Sequence, residues 1–189
     1  MQDKVIVGSE EWCSFPTLGI PTIKARVDSG AKTSALHAIN IVTFEKDSES
    51  WVKFDINPIQ NNAKAVIHCE APLVDKRVVK SSSGFREQRY VIKTKLEIGG
   101  KTWEIEVTLT NRDSMGFRML LGREAMSGRV LVDPEKRYLL GQPTTEKLKE
   151  YYYASSETKK GLKIGLLASN PELYSNKRIL EAGELRGHE

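Results

Sequence analysis

The residues with the clearest chemical potential lie in the stretch KARVDSGAKTSALHA, positions 24–38. Asp28, Ser29 and Gly30 place a carboxylate, a small hydroxyl and a glycine directly after an alternating apolar and basic run. A carboxylate at such a turn can serve as a general acid or base, and the alternative is an ordinary Asx-type turn that only shapes the backbone. Ser29 is a weaker candidate nucleophile, because no G-x-S-x-G elbow surrounds it and His37 is its only nearby base.

A strand must position this carboxylate, and the sequence predicts one immediately before it. Ile23, Ala25 and Val27 would point to one face of that strand, while the basic residues between them point to the other. Asp28 therefore stands where the strand leaves the sheet. Gly30 would let the backbone approach closely in the turn that follows.

A second motif lies far downstream. RMLLGRE, positions 118–124, reads as an apolar strand that ends in glycine and arginine. On its own the motif predicts one strand followed by a sharp turn. Its importance comes from its combination with the Asp28 loop.

Short segments rich in β-branched and aromatic residues recur up to Gly141, bounded by Gly, Pro, Asn and Ser. This pattern is typical of a mainly β domain, and a small closed β-barrel is the economical architecture because closure hides strand edges. Gly99 and Gly100 occupy a predicted hairpin turn that requires positive φ. GREAMSG, positions 122–128, predicts one short helix, and YLLG, positions 138–141, predicts a final strand.

The composition changes after Gly141, which predicts three regions. Residues 1–141 would form the barrel domain, and the polar, charged residues 142–161 would form a linker that can be partly helical. Residues 162–189 read as one apolar strand and one capped helix, a single β-α fragment of a truncated α/β domain. Such a strand needs neighbours on both faces, so we expect this fragment to be the incomplete start of a second domain.

Composition bounds the protein class. Of the 189 residues, 39% are hydrophobic and 29% are charged, which is ordinary for a soluble globular protein. The chain has no apolar run long enough to span a bilayer and no signal-peptide pattern, so we predict a cytoplasmic protein without a membrane partner. Its two cysteines argue against a disulfide framework. The net charge of +4 is a mild bias toward acidic partners.

The Asp28 loop and the later Gly-Arg strand together resemble the two signatures of retropepsin-like aspartic proteases. Three stretches, ARVDSGAKTSALHA, EAPLVDKRVVKSSSGFREQRYVI and MLLGREAM, extend the resemblance to a bacterial family labelled ATP-dependent zinc proteases. That family has a retropepsin-like barrel and often accompanies RimK-type glutamate ligases. It would cover residues 4–141, while residues 162–189 resemble the opening strand and helix of a RimK-type ATP-grasp ligase.

The resemblance implies a catalytic role for Asp28. Because the chain holds one D-[ST]-G tripeptide, a second Asp28 would come from another copy, which makes a two-fold homodimer a requirement of the chemistry. The Ser29 hydroxyl would link the two loops, Gly30 would let them meet, and Ala31 would contact the substrate. The residues expected to support the loop from below are Leu121, Gly122 and Arg123.

The family label also implies zinc and ATP, and neither has a recognisable motif in this sequence. H-E-x-x-H, C-x-x-C and Walker-type spacings are absent. His68 and Cys69 are neighbours in a predicted strand, so they would face opposite sides and could not easily share one metal. We therefore predict no metal and no cofactor, with a zinc-dependent peptidase as an alternative. For His37, a supporting role beside Asp28 is weighed against that of a packed histidine.

Basic residues cluster in positions 74–95 around the flexible SSSG. The flanking strands could form a hairpin that overhangs the catalytic loop as a protease flap does, and a basic flap would bind acidic peptides. The alternative is a solvated strand face. The residues expected to bind substrate there are Lys76, Arg77, Lys80, Arg86 and Arg89.

RimK-type ligases add glutamates to protein termini, so the resemblance favours an aspartic peptidase that trims glutamate-rich tails. The expected partners are a second copy, an acidic peptide or protein substrate, and the ligase domain of the full-length chain. The alternative is a catalytically silent barrel that docks the ligase or presents its substrate. Nucleic-acid binding is disfavoured, because the basic residues lack the interleaved aromatics that stack on bases.

Overall fold

The computed structural model describes residues 3–157, apart from residues 61, 63, 81–83 and 85. The chain divides into two compact units, Met1–Thr144 and Thr145–Glu189, and each is described by itself. The strands of the first unit are β1 (Val5–Val7), β2 (Glu10–Phe15), β3 (Ile20–Asp28), β4 (Ser34–His37), β5 (Ile39–Lys46), β6 (Glu49–Ile56), β7 (Ile67–Lys80), β8 (Arg86–Ile98), β9 (Lys101–Thr110), β10 (Met119–Gly122) and β11 (Val130–Val132). A 3-10 turn, Pro16–Leu18, follows β2, and helix α1, Arg123–Met126, follows β10.

Six strands close into a barrel in the order β2, β3, β10, β4, β9, β8 and back to β2. The pairs β3–β10 and β4–β9 are parallel, and the other barrel pairs are antiparallel. Ser14 of β2 lies opposite Glu97 of β8 where the barrel closes. The predicted mainly β fold with a small closed barrel is confirmed.

Among the described residues, five strands lie outside this ring. β7, β6 and β5 continue from β8 as an antiparallel extension of the sheet. β1 and β11 form a separate two-stranded parallel sheet, in which Val5 pairs with Val130 and Val7 pairs with Val132. Residues far apart in the sequence thus meet in this small sheet.

The barrel interior is apolar because alternate strand positions point inward. Ile23, Ala25 and Val27 of β3 are buried in the core, as their spacing predicts. The parallel register of β3 and β10 places Met119 beside Ala25 and Leu121 beside Val27. The basic residues between the apolar positions of β3 therefore lie on the outer face of the barrel.

Two differences from the sequence prediction involve the buried carboxylate of Glu11. The segment EEWCSF was not predicted as a strand but forms β2, and residues 138–141 do not form the predicted strand. Glu11 Oε1 accepts hydrogen bonds from the N–H groups of Gly8 at 2.8 Å and Leu139 at 2.9 Å. The carboxylate thus supplies an acceptor that a neighbouring strand would otherwise supply.

The second unit begins with helix α2, Thr145–Glu157, inside the region predicted to be a partly helical linker. The strand and helix predicted over residues 162–189 lie outside the described residues. In the part of the chain that is described, we find no helix with the length and apolar character needed to cross a membrane.

Candidate active site

Asp28 is the last residue of β3 and is half-buried. Its Oδ1 atom accepts hydrogen bonds from the backbone N–H of Gly30 at 2.9 Å and of Ala31 at 3.1 Å. Within the described chain, Oδ2 has no hydrogen-bond partner. Asp28 therefore forms an Asx-type turn and presents a carboxylate at the same time. The turn fixes Oδ1 and leaves Oδ2 available.

The end of β10 lies directly against the Asp28 loop. Gly122 pairs with Asp28, and its N–H donates to Ser34 Oγ at 3.0 Å. A Cβ atom on Gly122 would lie 2.6 Å from the carbonyl carbon of Thr33, which is backbone and cannot move aside cheaply. Leu121 is fully buried in the core below. Glycine is thus required at position 122 by close backbone packing.

Arg123 ties the same loop from the start of α1. Its backbone N–H donates to the Ala31 carbonyl at 2.9 Å, and its Nη1 donates to the Gly30 carbonyl at 2.9 Å. The next residue, Glu124, donates its N–H to the Lys32 carbonyl at 3.2 Å. The structure therefore brings the predicted supporting residues and the Asp28 loop together.

Ser29 is exposed beside Asp28 and borders a cavity of about 400 Å³. Arg123, Val130 and Val132 also line this cavity. The Ser29 hydroxyl makes no hydrogen bond to the described residues of its own chain. It is therefore available to a second molecule.

His37 is fully buried, and the structure places it in a polar cluster rather than in hydrogen-bond contact with Asp28. The N–H of Arg112 donates to His37 Nδ1 at 3.0 Å, and Asn57 forms a side-chain hydrogen bond with the same imidazole. Arg118 Nη1 lies 3.4 Å from His37 Nε2. Burial, and then the charge of Arg118, lower the pKa of His37, so the imidazole is neutral at pH 7.

The β7–β8 hairpin forms as predicted, with Lys80 opposite Arg86 near its end. Residues 81–83 and 85 of its tip lie outside the described residues. Lys80 and Arg86 are exposed, and neither forms an ion pair with the described residues. They are available to an acidic ligand, while the position of the hairpin over the catalytic loop stays a prediction.

The other predicted basic residues of the hairpin have partners already. Arg77 forms ion pairs of 2.6 Å with both Asp75 and Glu106, and Arg89 pairs with Glu87 at 2.7 Å. Lys76 lies over the ring of Tyr90, with Nζ 5.0 Å from the centroid. These residues contribute less free positive charge than the sequence alone indicates.

The donor set of the described residues does not fit a zinc ion. Burial raises the pKa of both thiols, Cys13 and Cys69, to about 12, and zinc binds cysteine as thiolate. His68 Nδ1 lies 2.7 Å from Asp55 Oδ1, on the exposed side of β7. No group of three His, Cys, Asp or Glu side chains among the described residues could hold a metal.

Sequence reasoning missed Arg112, which follows β9 and is only 6% exposed. Burial, and then the charge of Arg89, lower its pKa, while the charge of Asp28 acts in the opposite direction. Arg112 therefore lies within the electrostatic reach of the candidate catalytic acid. Its sequence context, TNRDS, is typical of an exposed loop, so local pattern contains no signal of its burial.

A closed barrel, an Asp-Ser-Gly loop at a strand end and a Gly-Arg strand packed against that loop define a protein of the retropepsin-like class. Residues 6–143 match the model of the RimB-like family, described as "Retropepsin-like aspartic endopeptidase RimB". The chain belongs to this RimB-like family.

Curated relatives carry a different name. The chain is 59% identical over 187 residues to a "Probable alpha-L-glutamate ligase" of Shewanella halifaxensis and 56% identical over 186 residues to one of Desulfotalea psychrophila. These matches cover 99% and 98% of this chain, which spans only 41% and 40% of the two relatives. Relatives of this length agree with the predicted fusion to a RimK-type ligase.

A solved structure shares the fold. A protein of unknown function from Legionella pneumophila is 28% identical and aligns with a TM-score of 0.60. The alignment covers 72% of this chain and 98% of that chain. The shared part is thus close to the whole of the Legionella protein.

Proposed function

We propose that this chain is an aspartic peptidase whose active site is completed by the Asp28 residues of two copies. The observation that carries the proposal is the Asp28 carboxylate, which is fixed through Oδ1 by two backbone N–H groups while Oδ2 stays available. The loop is held in turn by Gly122 and Arg123. Such preorganisation suits a group that must meet a reacting atom at a fixed position. Membership of the RimB-like family supports the reaction class.

The chemistry follows from two carboxylates that share one proton. Two like charges at hydrogen-bond distance cannot both ionise cheaply, so the pair carries a single negative charge. The ionised Asp28 takes a proton from water as the water oxygen attacks the peptide carbonyl, and the protonated Asp28 gives its proton to the carbonyl oxygen. The newly protonated Asp28 then gives its proton to the amide nitrogen as the C–N bond breaks, while the other Asp28 takes a proton from a hydroxyl of the tetrahedral intermediate, so the dyad again holds one proton.

The dimer that this chemistry needs is supported by the surface beside the loop. The Ser29 hydroxyl is available there, and Val130 and Val132 of β11 border the same cavity. On the β1–β11 sheet, Ile6 is 57% exposed and its paired residue Leu131 is 51% exposed. Exposed apolar neighbours of this kind favour burial against a second copy.

We propose glutamate-rich protein tails as the substrates and the fused ligase as their source. The exposed Lys80 and Arg86 at the end of the β7–β8 hairpin support an acidic substrate. The ligase name of the longer relatives supports a ligase that adds glutamate within the same full-length chain. In this account the peptidase shortens the tails that the ligase extends.

The direct test is to incubate the purified protein with oligoglutamate peptides and neutral peptides of equal length, and to identify products by mass spectrometry. We expect cleavage of the acidic peptides, loss of at least about 10³-fold of the activity in Asp28→Asn, and no effect of a chelator. Asp47→Asn, on the exposed β5–β6 turn, is the matched control and should keep full activity. If wild type binds oligoglutamate but cleaves no peptide, the domain is a silent docking module and the peptidase proposal is wrong.

A further inference from the structure

Arg112 is a buried arginine with an incompletely satisfied guanidinium group. Its Nε donates to the Phe117 carbonyl at 3.0 Å, and its backbone N–H is used by His37. Among the described residues, the two terminal amino groups of Arg112 have no hydrogen-bond partner. Most buried arginines form ion pairs, because an unpaired charge is costly to remove from water.

Several arginines of the described chain already have carboxylate partners. These are Arg26 with Glu10, Arg77 with Asp75 and Glu106, Arg89 with Glu87, Arg118 with Asp113, and Arg137 with Glu10. Arg112 forms no such pair within the described chain. Arg112 is thus a buried cation whose terminal amino groups can still bind a carboxylate of another molecule.

The side chain of Arg112 binds next to Phe117, which contacts β3, and its charge interacts with that of Asp28. The ring of Phe117, whose carbonyl it binds, lies 5.0 Å from Lys24 Nζ and 5.9 Å from Arg26 Cζ. Residues 24, 26 and 28 of a strand point to the same face, so Asp28 is the next outward residue after Arg26. The guanidinium therefore lies beside the face that presents the catalytic acid.

The strand register sets the spacing of rows on this face. Ala35 of β4, which is buried, lies opposite Leu120 and Thr108, so its row lies between the row of His37 and the row of Gly122 and Asp28. If Arg112 is held beside His37 and extends toward Asp28, its free amino groups lie close to a peptide bound at Asp28.

We propose that Arg112 is a specificity-determining residue that binds the carboxylate of a substrate glutamate next to the scissile bond. The proposal rests on the proposed peptidase function and names one contact of that site. The planar fork of a guanidinium binds a carboxylate through two parallel hydrogen bonds, which an uncharged glutamine side chain cannot reproduce.

The cluster behind Arg112 holds it in place. His37 Nδ1 accepts the Arg112 N–H, and Arg118 binds Asp113 one residue further along the loop. Because the loop is fixed at both ends, little conformational entropy is lost when a carboxylate binds. His37 thus acts on the site through Arg112, whereas the sequence suggested a supporting role directly beside Asp28.

The test uses a peptide series in which each glutamate around the cleaved bond is replaced singly by glutamine. We expect wild type to lose about 10- to 100-fold in kcat/KM at one position, and Arg112→Gln to lose this preference at that position alone. Arg112→Lys, which keeps the charge without the fork, should retain part of the preference. Lys53→Gln removes an equal charge from an exposed position of β6 and should match wild type.

Binding separates failure of this proposal from failure of the peptidase function. Oligoglutamate binding is measured by fluorescence anisotropy in Asp28→Asn and in the double variant with Arg112→Gln, both checked for folding by circular dichroism. Weaker binding in the double variant supports the carboxylate contact even if no peptide is cleaved. Equal binding of both variants, or an unchanged glutamate preference in cleavage by Arg112→Gln, overturns it.

Discussion

At the residue scale, Gly122 shows how close backbone packing next to the Asp28 loop supports the site. The backbone of Thr33 and Ser34 passes so close to Gly122 that a methyl group would lie within 2.9 Å of three backbone atoms. Thr33 and Ser34 lie at the end of the loop that begins at Asp28. Any shift that relieves the contact therefore moves the catalytic loop.

We expect Gly122→Ala to destabilise the fold by about 1–3 kcal/mol, since overpacking forces backbone shifts. Urea unfolding followed by circular dichroism measures this as a lower midpoint with an unchanged m-value. Gly116→Ala is the control, because no atom lies within 4 Å of its added Cβ. Equal midpoints for the two variants would contradict the packing argument.

His37 gives the fold a predictable response to acid. Its pKa is lowered in the folded state by burial and by Arg118, whereas the unfolded side chain titrates near 6.5. As the pH falls below about 6.5, the unfolded chain binds a proton that the folded chain does not, so the free energy of unfolding decreases. Above this pH range, His37 is neutral in both the folded and the unfolded state, and its full contribution to the free energy of unfolding is present.

We therefore expect stability to decline from pH 7 to pH 5, by up to about 1.4 kcal/mol per pH unit for one proton. Chemical denaturation at a series of pH values measures the slope. His37→Gln should flatten it, and Lys53→Gln, at an exposed position of β6, should not. A stability that rises on acidification in this range would contradict the assignment.

At the element scale, the sequence predicted what periodicity and turn chemistry determine. The inward face of β3 and the β8–β9 hairpin were confirmed, with Gly99 and Gly100 at φ of 58° and 71°. Local patterns predicted the Asp28 loop and β10 separately, and their contact was expected only from the resemblance to retropepsin-like proteases. Strand β2 and the non-strand segment 138–141 were missed, because both involve one buried carboxylate.

Charged residues are expected at the surface from pattern alone, so Glu11 and Arg112 could not be located from the sequence. Their burial depends on partners far along the chain, such as Leu139 for Glu11. The same limit applies to the charge of the β7–β8 hairpin. Arg77 reads as a free cation in the sequence but is paired with Glu106 of β9 in the structure.

Glu11→Gln tests the carboxylate that accepts backbone hydrogen bonds where the sequence predicted a strand over residues 138–141. The amide keeps one oxygen acceptor but loses the charge that strengthens hydrogen bonds to Gly8 and Leu139. We expect a loss of about 1.5–3 kcal/mol in the free energy of unfolding, together with faster proteolysis after Lys136 or Arg137. Glu49→Gln, in the exposed start of β6, is the control and should leave both measurements unchanged.

At the scale of the whole molecule, the proposed dyad makes activity a property of subunit pairs. Wild type and Asp28→Asn are mixed, co-unfolded and refolded, so that the subunits combine at random. If a heterodimer with one Asp28 is inactive, activity falls as the square of the wild-type fraction, to about one quarter at equal parts. A linear fall to one half would show that each copy works alone and would contradict the shared site.

The pairing of β1 with β11 has a consequence for synthesis of the protein. Val5 of β1 emerges from the ribosome well over a hundred residues before its partner Val130 of β11. The nascent chain must therefore hold its first strand without a partner until nearly the entire unit has been translated. Co-translational folding should be late and abrupt, and stalled chains that stop before β11 should depend on a chaperone to cover that strand.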